Sequence, residues 1–397
     1  MTNRCSLAYR ADRIARRSLA AAAFLAVAVC LGLETLNGDV QAQEAPAEKA
    51  AAVLPGTLPL TAEGDLASAM IDGIDRFLLE ETKAAAERRA ELWKRDYSSH
   101  EAYERSIEPQ RERLKQIIGV VDQREPVEEL ELITTTQRPS LVARGNAYQV
   151  HRVRWPVLPG VTAEGYLLAP ALHASLADVV VIPDADQTPE MLAGLVECDE
   201  HVQIARRLAE NRCRVLVPTV ISRDDTHSVT WTGRATNQPH REFVYRPAFE
   251  MGRHIIGYEV QKVLAAVDWF RRPNVPRQGS VGVIGYGEGG LIALYAAAVD
   301  PRIDACCVSG YFRSRQNLWQ EPIYRNVFGL LEQFGDAEIA SLVAPRSLVV
   351  EACRHPKVDG PPQPRAGRAG AAPGRLDTPP EAEVRAEFQR AWALVKP

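Results

Sequence analysis

The 397-residue chain can hold one large domain or two ordinary ones, and its 46% apolar and 25% charged residues are the balance of a soluble globular protein. A net charge of −4 over that length, with no concentrated basic stripe, excludes nucleic acid as an expected partner. The cysteines show no C-x-x-C spacing, which excludes a zinc ribbon or a thioredoxin-like centre.

Arg13, Arg16 and Arg17 precede an apolar run from Ser18 to Leu33, and the small-residue site "VQA" follows at Val40–Ala42. That order predicts a cleaved export signal over residues 1–42 and a periplasmic or secreted protein. The run is shorter than the roughly 20 residues that cross a bilayer, so a membrane is a partner only through this segment if it stays uncleaved. With the signal removed, Cys198, Cys213, Cys306, Cys307 and Cys353 remain and read as small buried apolar residues. Residues 43–62, rich in Ala and Pro, read as a linker. A helical segment is expected over 63–120, where Ile71, Ile74, Phe77, Leu78, Leu92 and Trp93 share one stripe at helical period.

Strand patterns follow. Val127–Thr136 alternates, and "AYQVHRVRWPV" and "VTAEGYLLAP" flank Leu158-Pro159-Gly160 as a hairpin would. After Pro170 short apolar strands alternate with amphipathic helices. Asp178–Pro183 precedes a helix from Glu200 to Asn211, and Arg214–Val220 precedes a long helix from Ala248 to Phe270. Val281–Ile284, a helix through Ala298, the strand "DACCVSG", a helix around Val327–Leu342 and the strand Ser347–Ala352 complete the pattern. This is an α/β chain: a mostly parallel sheet of about seven strands, covered by helices on both faces, over residues 121–397.

The stretch "SVGVIGYGEGGLIALYAAA", residues 280–298, turns from strand to helix through Gly285, Gly287, Gly289 and Gly290. As G-x-G-x-x-G it would bind a dinucleotide such as NAD, but that motif belongs after the first strand and wants a carboxylate at the tip of the next. Here several strands come first, and Asp304 stands at the wrong end of the following one. As G-x-S-x-G it is a nucleophile elbow, whose central residue takes strained backbone angles and whose neighbours must be small. Gly285 and Gly289 fill the flanking positions, and Gly287 stands where the serine would be.

On this motif and the strand order before it, residues 128–352 resemble the α/β-hydrolase superfamily, and more loosely its acetyl-xylan-esterase and dienelactone-hydrolase-like branches. The resemblance implies a Ser–Asp/Glu–His triad, a final strand before the histidine, no cofactor, and a small-molecule or carbohydrate ester as ligand. The sequence departs from it. Gly287 offers no nucleophile, and Glu288 occupies the position whose backbone N–H serves the oxyanion; pairing with an arginine such as Arg253 is its expected role. For the acid, Glu351 and Asp359 are available. His355 follows only four residues after the strand, and the Pro/Gly-rich loop then leads to a helix from Glu381 to about Val395 with no final strand, the pattern of a C-terminally incomplete domain. Asp184 and Asp186, in the loop after the first parallel strand, and Asp225, His227 and Trp319, in later loops, are candidates to line the pocket. Asp224, Asp225 and His227 could in principle ligate a cation, although a solvated loop is the preferred reading and no metal is expected.

Three functions stay open: an exported esterase relative without serine-hydrolase activity that keeps a binding pocket; an active hydrolase using Glu288, Asp225 or His227 in a non-serine or metal-assisted site; and a NAD-linked oxidoreductase.

Overall fold

The computed structural model describes residues 55–171, 174–273 and 279–396, so the export signal and the first part of the linker lie outside the described residues. The chain divides into two compact units, Met1–Ala69 and Met70–Pro397. In the first, residues 55–65 have no helix or strand, and residues 55–69 are exposed throughout.

Helix α1 (Leu66–Arg88) begins at the end of that unit and continues into the second. Only Ala85 is buried along it; Ile71, Ile74, Phe77 and Leu78 of the expected stripe are exposed. The stripe therefore does not face the core, although Trp93, just beyond the helix, does. Helix α2 (His100–Ile117) starts at Ser99, whose hydroxyl accepts the Ala102 N–H at 3.1 Å, and buries Tyr103, Ile107 and Leu114 at i, i+4 and i+11 spacing. These three share one core with the sheet, which makes α2 part of the α/β body.

The sheet has nine strands: β1 (Glu131–Leu132), β2 (Leu141–Arg144), β3 (Tyr148–Leu158), β4 (Val161–Pro170), β5 (Ala177–Ile182), β6 (Arg214–Pro218), β7 (Ser280–Tyr286), β8 (Ala305–Ser309) and β9 (Ser347–Glu351). Their order is β1-β3-β4-β6-β5-β7-β8-β9, with β2 also on β3. β3 and β4 form the expected hairpin, closed by Pro159 and Gly160, the latter at φ 75°. From β6 to β9 all pairings are parallel. Val127–Thr136, expected as one strand, is reduced to Glu131–Leu132.

Between the strands run α3 (Pro189–Leu192), α4 (Ile204–Glu210), α5 (His240–Glu250), α6 (Ile255–Phe270), α7 (Glu288–Val299), α8 (Leu330–Gln333) and α9 (Asp336–Ser341), and α10 (Glu381–Val395) follows β9. One face of the sheet packs on Ala205 and Ala209 of α4 through Tyr166, Leu168, Val215 and Val217. The other packs on α6 and α7, where Ile256, Val260, Val263, Leu264 and Val267 are buried as the periodicity required, and every residue of α7 is buried. Two long helices expected from the sequence are each divided, the second at extended Phe334 and Gly335. Gly252, at φ 65°, separates α5 from α6, and Gly329, at φ 69°, opens α8, with Gly335 capping α9. Among the described residues no strand follows β9, so β9 is a sheet edge paired only with β8. No described helix is long and apolar enough to cross a membrane.

The chain leaves β5 toward β6 on one side and resumes beside β5 as β7 on the other. This reversal opens a crevice at the carboxyl ends of β5 and β7, where ligands of open α/β sheets bind. The strand-to-helix turn after β7 depends on glycine for space. A Cβ at Gly285 would stand 2.0 Å from the Gly289 carbonyl oxygen, and one at Gly289 would stand 2.2 Å from that of Ile182. Replacing either by alanine is therefore expected to lower the unfolding free energy by about 3 kcal/mol or more. Gly282→Ala, whose Cβ would meet nothing closer than 3.7 Å, should stay within about 0.5 kcal/mol. Urea unfolding midpoints of the three variants measure the contrast.

Candidate functional site

Gly287 lies between β7 and α7 at φ 57°, ψ −115°, the left-handed side of backbone space open to glycine and strained for other residues. The geometry is that of a nucleophile elbow, with no side chain at its central position. A Cβ there would fall 2.5 Å from Asp184 Oδ1 and 2.7 Å from Pro356 Cγ. The space a serine side chain would need is thus occupied by the loops after β5 and β9.

The next residue carries the charge. Glu288 is fully buried, and its carboxylate accepts from Arg241 (3.0 Å), Arg223 (3.3 Å) and the Nε of Arg325 (3.0 Å). Burial alone would raise its pKa, but the guanidiniums of Arg325, Arg241 and Arg223 outweigh it and hold the group well below the usual carboxylate range. The partner anticipated for Glu288 was Arg253; that residue instead pairs with Asp122 at 2.6 Å. Arg223 also holds Asp184, at 2.5 and 3.1 Å, and Asp186, at 2.9 Å, and its Nε donates to the Tyr324 hydroxyl at 3.0 Å. Arg325 and Arg315 share Glu321, at 3.1 and 2.9 Å. Four guanidiniums and four carboxylates thereby link the loops after β5, β6, β7 and β8.

Asp184 engages the backbone next to Gly287. Its Oδ1 accepts the backbone N–H of Glu288 at 2.8 Å, and that N–H is the one the resemblance assigned to a developing oxyanion. Burial opposes ionisation of Asp184, yet Arg223 and two backbone N–H donors keep its pKa below the ordinary value. The Glu288 N–H therefore faces an ionised, buried carboxylate.

The remaining triad candidates are apart. His355 is buried; its Nδ1 lies 2.5 Å from the Pro356 carbonyl oxygen and its Nε2 lies 3.2 Å from Arg325 Nη2. Those partners assign the proton to Nδ1 and commit the Nε2 lone pair to Arg325. Burial, then the Arg325 charge, lowers its pKa to about 4, so the ring is neutral at physiological pH. Asp359 is exposed and paired with Lys357 at 3.0 Å, whereas Glu351 accepts from Ser309 Oγ at 2.5 Å. None of these acids touches His355.

Nor do the pocket candidates converge. Asp184 is buried in the charge cluster, and Asp186 lies at its half-exposed edge. Asp225 is buried beneath the loop after β9, held by Arg365 at 2.7 Å. His227 is exposed and stacks on His240, with ring centroids 5.4 Å apart. His240 accepts the His227 backbone N–H at Nε2, so its Nδ1 proton points at Ser222 Oγ, 2.9 Å away, the reverse of what a general base needs. No described group of three or more His, Cys, Asp or Glu residues could hold a metal ion. Trp319 is exposed on a different groove, beside Leu78 and Val327.

What lies beside the elbow is a polar cleft of about 170 Å³. Arg325 and His355 form its inner wall, and Arg313, Gln320, Arg375 and Thr378 contribute to the remainder. Arg223 and Arg325, which organise the cluster, carry no motif. Their only signal in the sequence is position: each stands in a loop leaving the carboxyl end of a parallel strand.

With this geometry in view, the comparisons with known proteins agree on architecture. The dienelactone hydrolase family model matches residues 164–322. "Putative hydrolase YtaP" of Bacillus subtilis (strain 168) is 30% identical over 109 residues, 26% of this chain, which spans only 36% of that relative's length. The crystal structure of a "putative acetyl xylan esterase (BF1801)" from Bacteroides fragilis NCTC 9343 superposes with a TM-score of 0.52 at 14% identity, covering 74% of this chain and 77% of that one.

Two consequences are measurable. Glu288→Gln leaves three buried guanidiniums short of a counter-charge and should cost about 3–5 kcal/mol of stability, read by denaturant unfolding. His355 and His254 are both buried and lowered to about 4 from 6.5. The unfolded chain therefore binds these protons first, so stability is fully present above about pH 6.5 and declines as pH falls toward 4. Unfolding midpoints across that range should show the decline, and His355→Gln and His254→Gln should each flatten it.

Strand order, glycine elbow and family match converge on one architecture: this chain has the α/β-hydrolase fold.

Proposed function

We propose that this chain is an exported esterase relative that lacks serine-hydrolase chemistry and uses the cleft beside its elbow to bind a small polar ligand. One observation carries the reading. The backbone N–H that would stabilise an oxyanion donates to Asp184 at 2.8 Å, next to a Gly287 with no side chain. A serine hydrolase stripped of its nucleophile loses about a million-fold in turnover and retains a residual near a thousandfold from its oxyanion donors and binding. Here one of those donors is itself occupied by a carboxylate.

The cleft is smaller than the roughly 300 Å³ at which drug-sized sites begin, and its guanidinium, amide and hydroxyl lining suits one ring-sized polar molecule. A carbohydrate or its ester is the ligand class proposed. Export is supported by the charge, apolar run and small residues of positions 13–42.

The test is hydrolysis of a chromogenic acetyl ester together with labelling by a serine-directed fluorophosphonate. The wild-type chain is expected to give no turnover and no label. Gly287→Ser should remain silent too, because its Cβ would collide with Asp184 and the His355 lone pair is engaged by Arg325. Turnover by the wild type beyond about a thousandfold over buffer, or a labelled serine in it, would overturn the reading.

A further inference from the structure

Residues 352–380, between β9 and α10, run without a helix or a regular strand. Loops beyond about 12–15 residues with no secondary structure are uncommon in compact domains and are often lids. This one folds back on itself. Val358 and Leu376 exchange two backbone hydrogen bonds, at 3.0 and 2.9 Å, and Arg365 and Arg368 exchange two more, at 3.0 and 2.8 Å. The result is a strap with its neck at Val358 and Leu376 and its tip between Arg365 and Arg368.

Polar contacts hold the strap down. At the tip, Arg365 Nη2 donates to Asp225 Oδ1 and Arg368 Nη1 to the Asp225 carbonyl oxygen, each at 2.7 Å. Farther back, Asn237 Nδ2 donates to the Pro362 carbonyl oxygen at 2.7 Å, and its Oδ1 accepts the Ala371 N–H at 3.0 Å. Glu242 accepts the Ala372 N–H at 3.0 and 3.1 Å. Asp225, Asn237 and Glu242 are themselves buried. By contrast, no residue from 356 to 375 is buried, and none joins an apolar cluster. A segment attached by hydrogen bonds, with little apolar burial, opens at a lower free energy than the core beside it.

The strap divides the crevice. On one side of its neck lies the cleft of about 170 Å³, to which Arg375, Leu376 and Thr378 contribute. On the other is a second pocket of about 30 Å³, lined by Arg223, Pro322 and Tyr324 of the body and by Pro361, Pro362 and Gly374 of the strap. Between the two pockets the neck sits directly on residues 320–322. The Arg375 N–H donates to the Gln320 carbonyl oxygen at 3.0 Å. A Cβ at Gly374, whose φ is 152°, would stand 2.6 Å from Pro322 Cα, so only glycine lets the strap seat there.

We propose that residues 358–376 are a latched lid, which lifts as one unit from Asp225, Asn237 and Glu242 and joins the two pockets into one crevice walled by Arg223 and Tyr324. That the joined crevice admits a ligand rests on the binding reading above. The movement itself rests on the contacts of the strap, and its test uses no ligand and no ester, so the two can fail separately.

Hydrogen exchange of the purified full chain, read by mass spectrometry, is that test. The hydrogen-bonded amides of both halves of the strap should exchange together, at least about 100-fold faster than those of β7 and α7. Arg365→Gln/Arg368→Gln removes the latch from the strap side. It should speed exchange along the whole strap, neck included, by at least about tenfold with an unchanged urea midpoint. Gly374→Ala, which leaves every charge in place, should do the same by lifting the neck from Pro322. A thiol introduced by Pro239→Cys, at the wall of the second pocket, should react with a maleimide faster by a similar factor when the latch is removed. Strap amides that exchange only with global unfolding would overturn the lid. So would a tip substitution whose effect stops at the tip, or labelling at position 239 that is indifferent to the latch.

Discussion

The buried carboxylate of Glu288 is the interaction on which the crevice depends. It sits at the first turn of a helix whose every residue is buried, and it is compensated by guanidiniums from the loops after β6 and β8 and from α5. A carboxylate in that position without partners would be protonated or would destabilise the fold, because an unpaired charge pays the full cost of leaving water. With Arg223, Arg241 and Arg325 in place it becomes a fixed node. Loops that other arrangements would leave free to shape a pocket are held to one geometry, and Tyr324, packed against both Arg223 and Arg241, fills the space between them.

The same node reaches the residues around the elbow. Arg223 reaches Asp184 and Glu288 together, and that placement sets Asp184 Oδ1 against the Glu288 backbone N–H. Arg325 reaches Glu288 and His355 together, and that contact consumes the imidazole lone pair. The groups nearest the elbow are therefore saturated by one another. A hydroxyl placed at Gly287 would meet an imidazole whose lone pair faces Arg325 and a backbone N–H that already donates to Asp184.

Much of the architecture was legible before any coordinates. The parallel strands, the β3–β4 hairpin, the buried stripe of α6 and the glycine elbow follow from short apolar runs, turn residues and period, all local properties. The departures are local as well. Gly252 ends one helix by a reversal of backbone sign, and extended Phe334 and Gly335 interrupt another; a stripe of apolar residues registers neither. The α1 stripe is a different case: the helix is present as its period required, but period says that a face is apolar and not what covers it.

The candidate site was legible only in part. The absence of a nucleophile at position 287 is a statement about one residue, and the sequence decides it without help. The crowding at that position, the capture of the Glu288 N–H by Asp184, and the engagement of His355 by Arg325 join residues from 30 to more than 100 positions apart. Such contacts leave no periodic or motif trace, because an arginine in a loop looks the same whether it is solvated or buried against a distant carboxylate. What the sequence by itself determined was the fold class and the missing side chain, since both are written in local pattern. Only the tertiary structure decided what fills the vacated space, because that depends on which loops the reversal between β5 and β7 brings to the same end of the sheet.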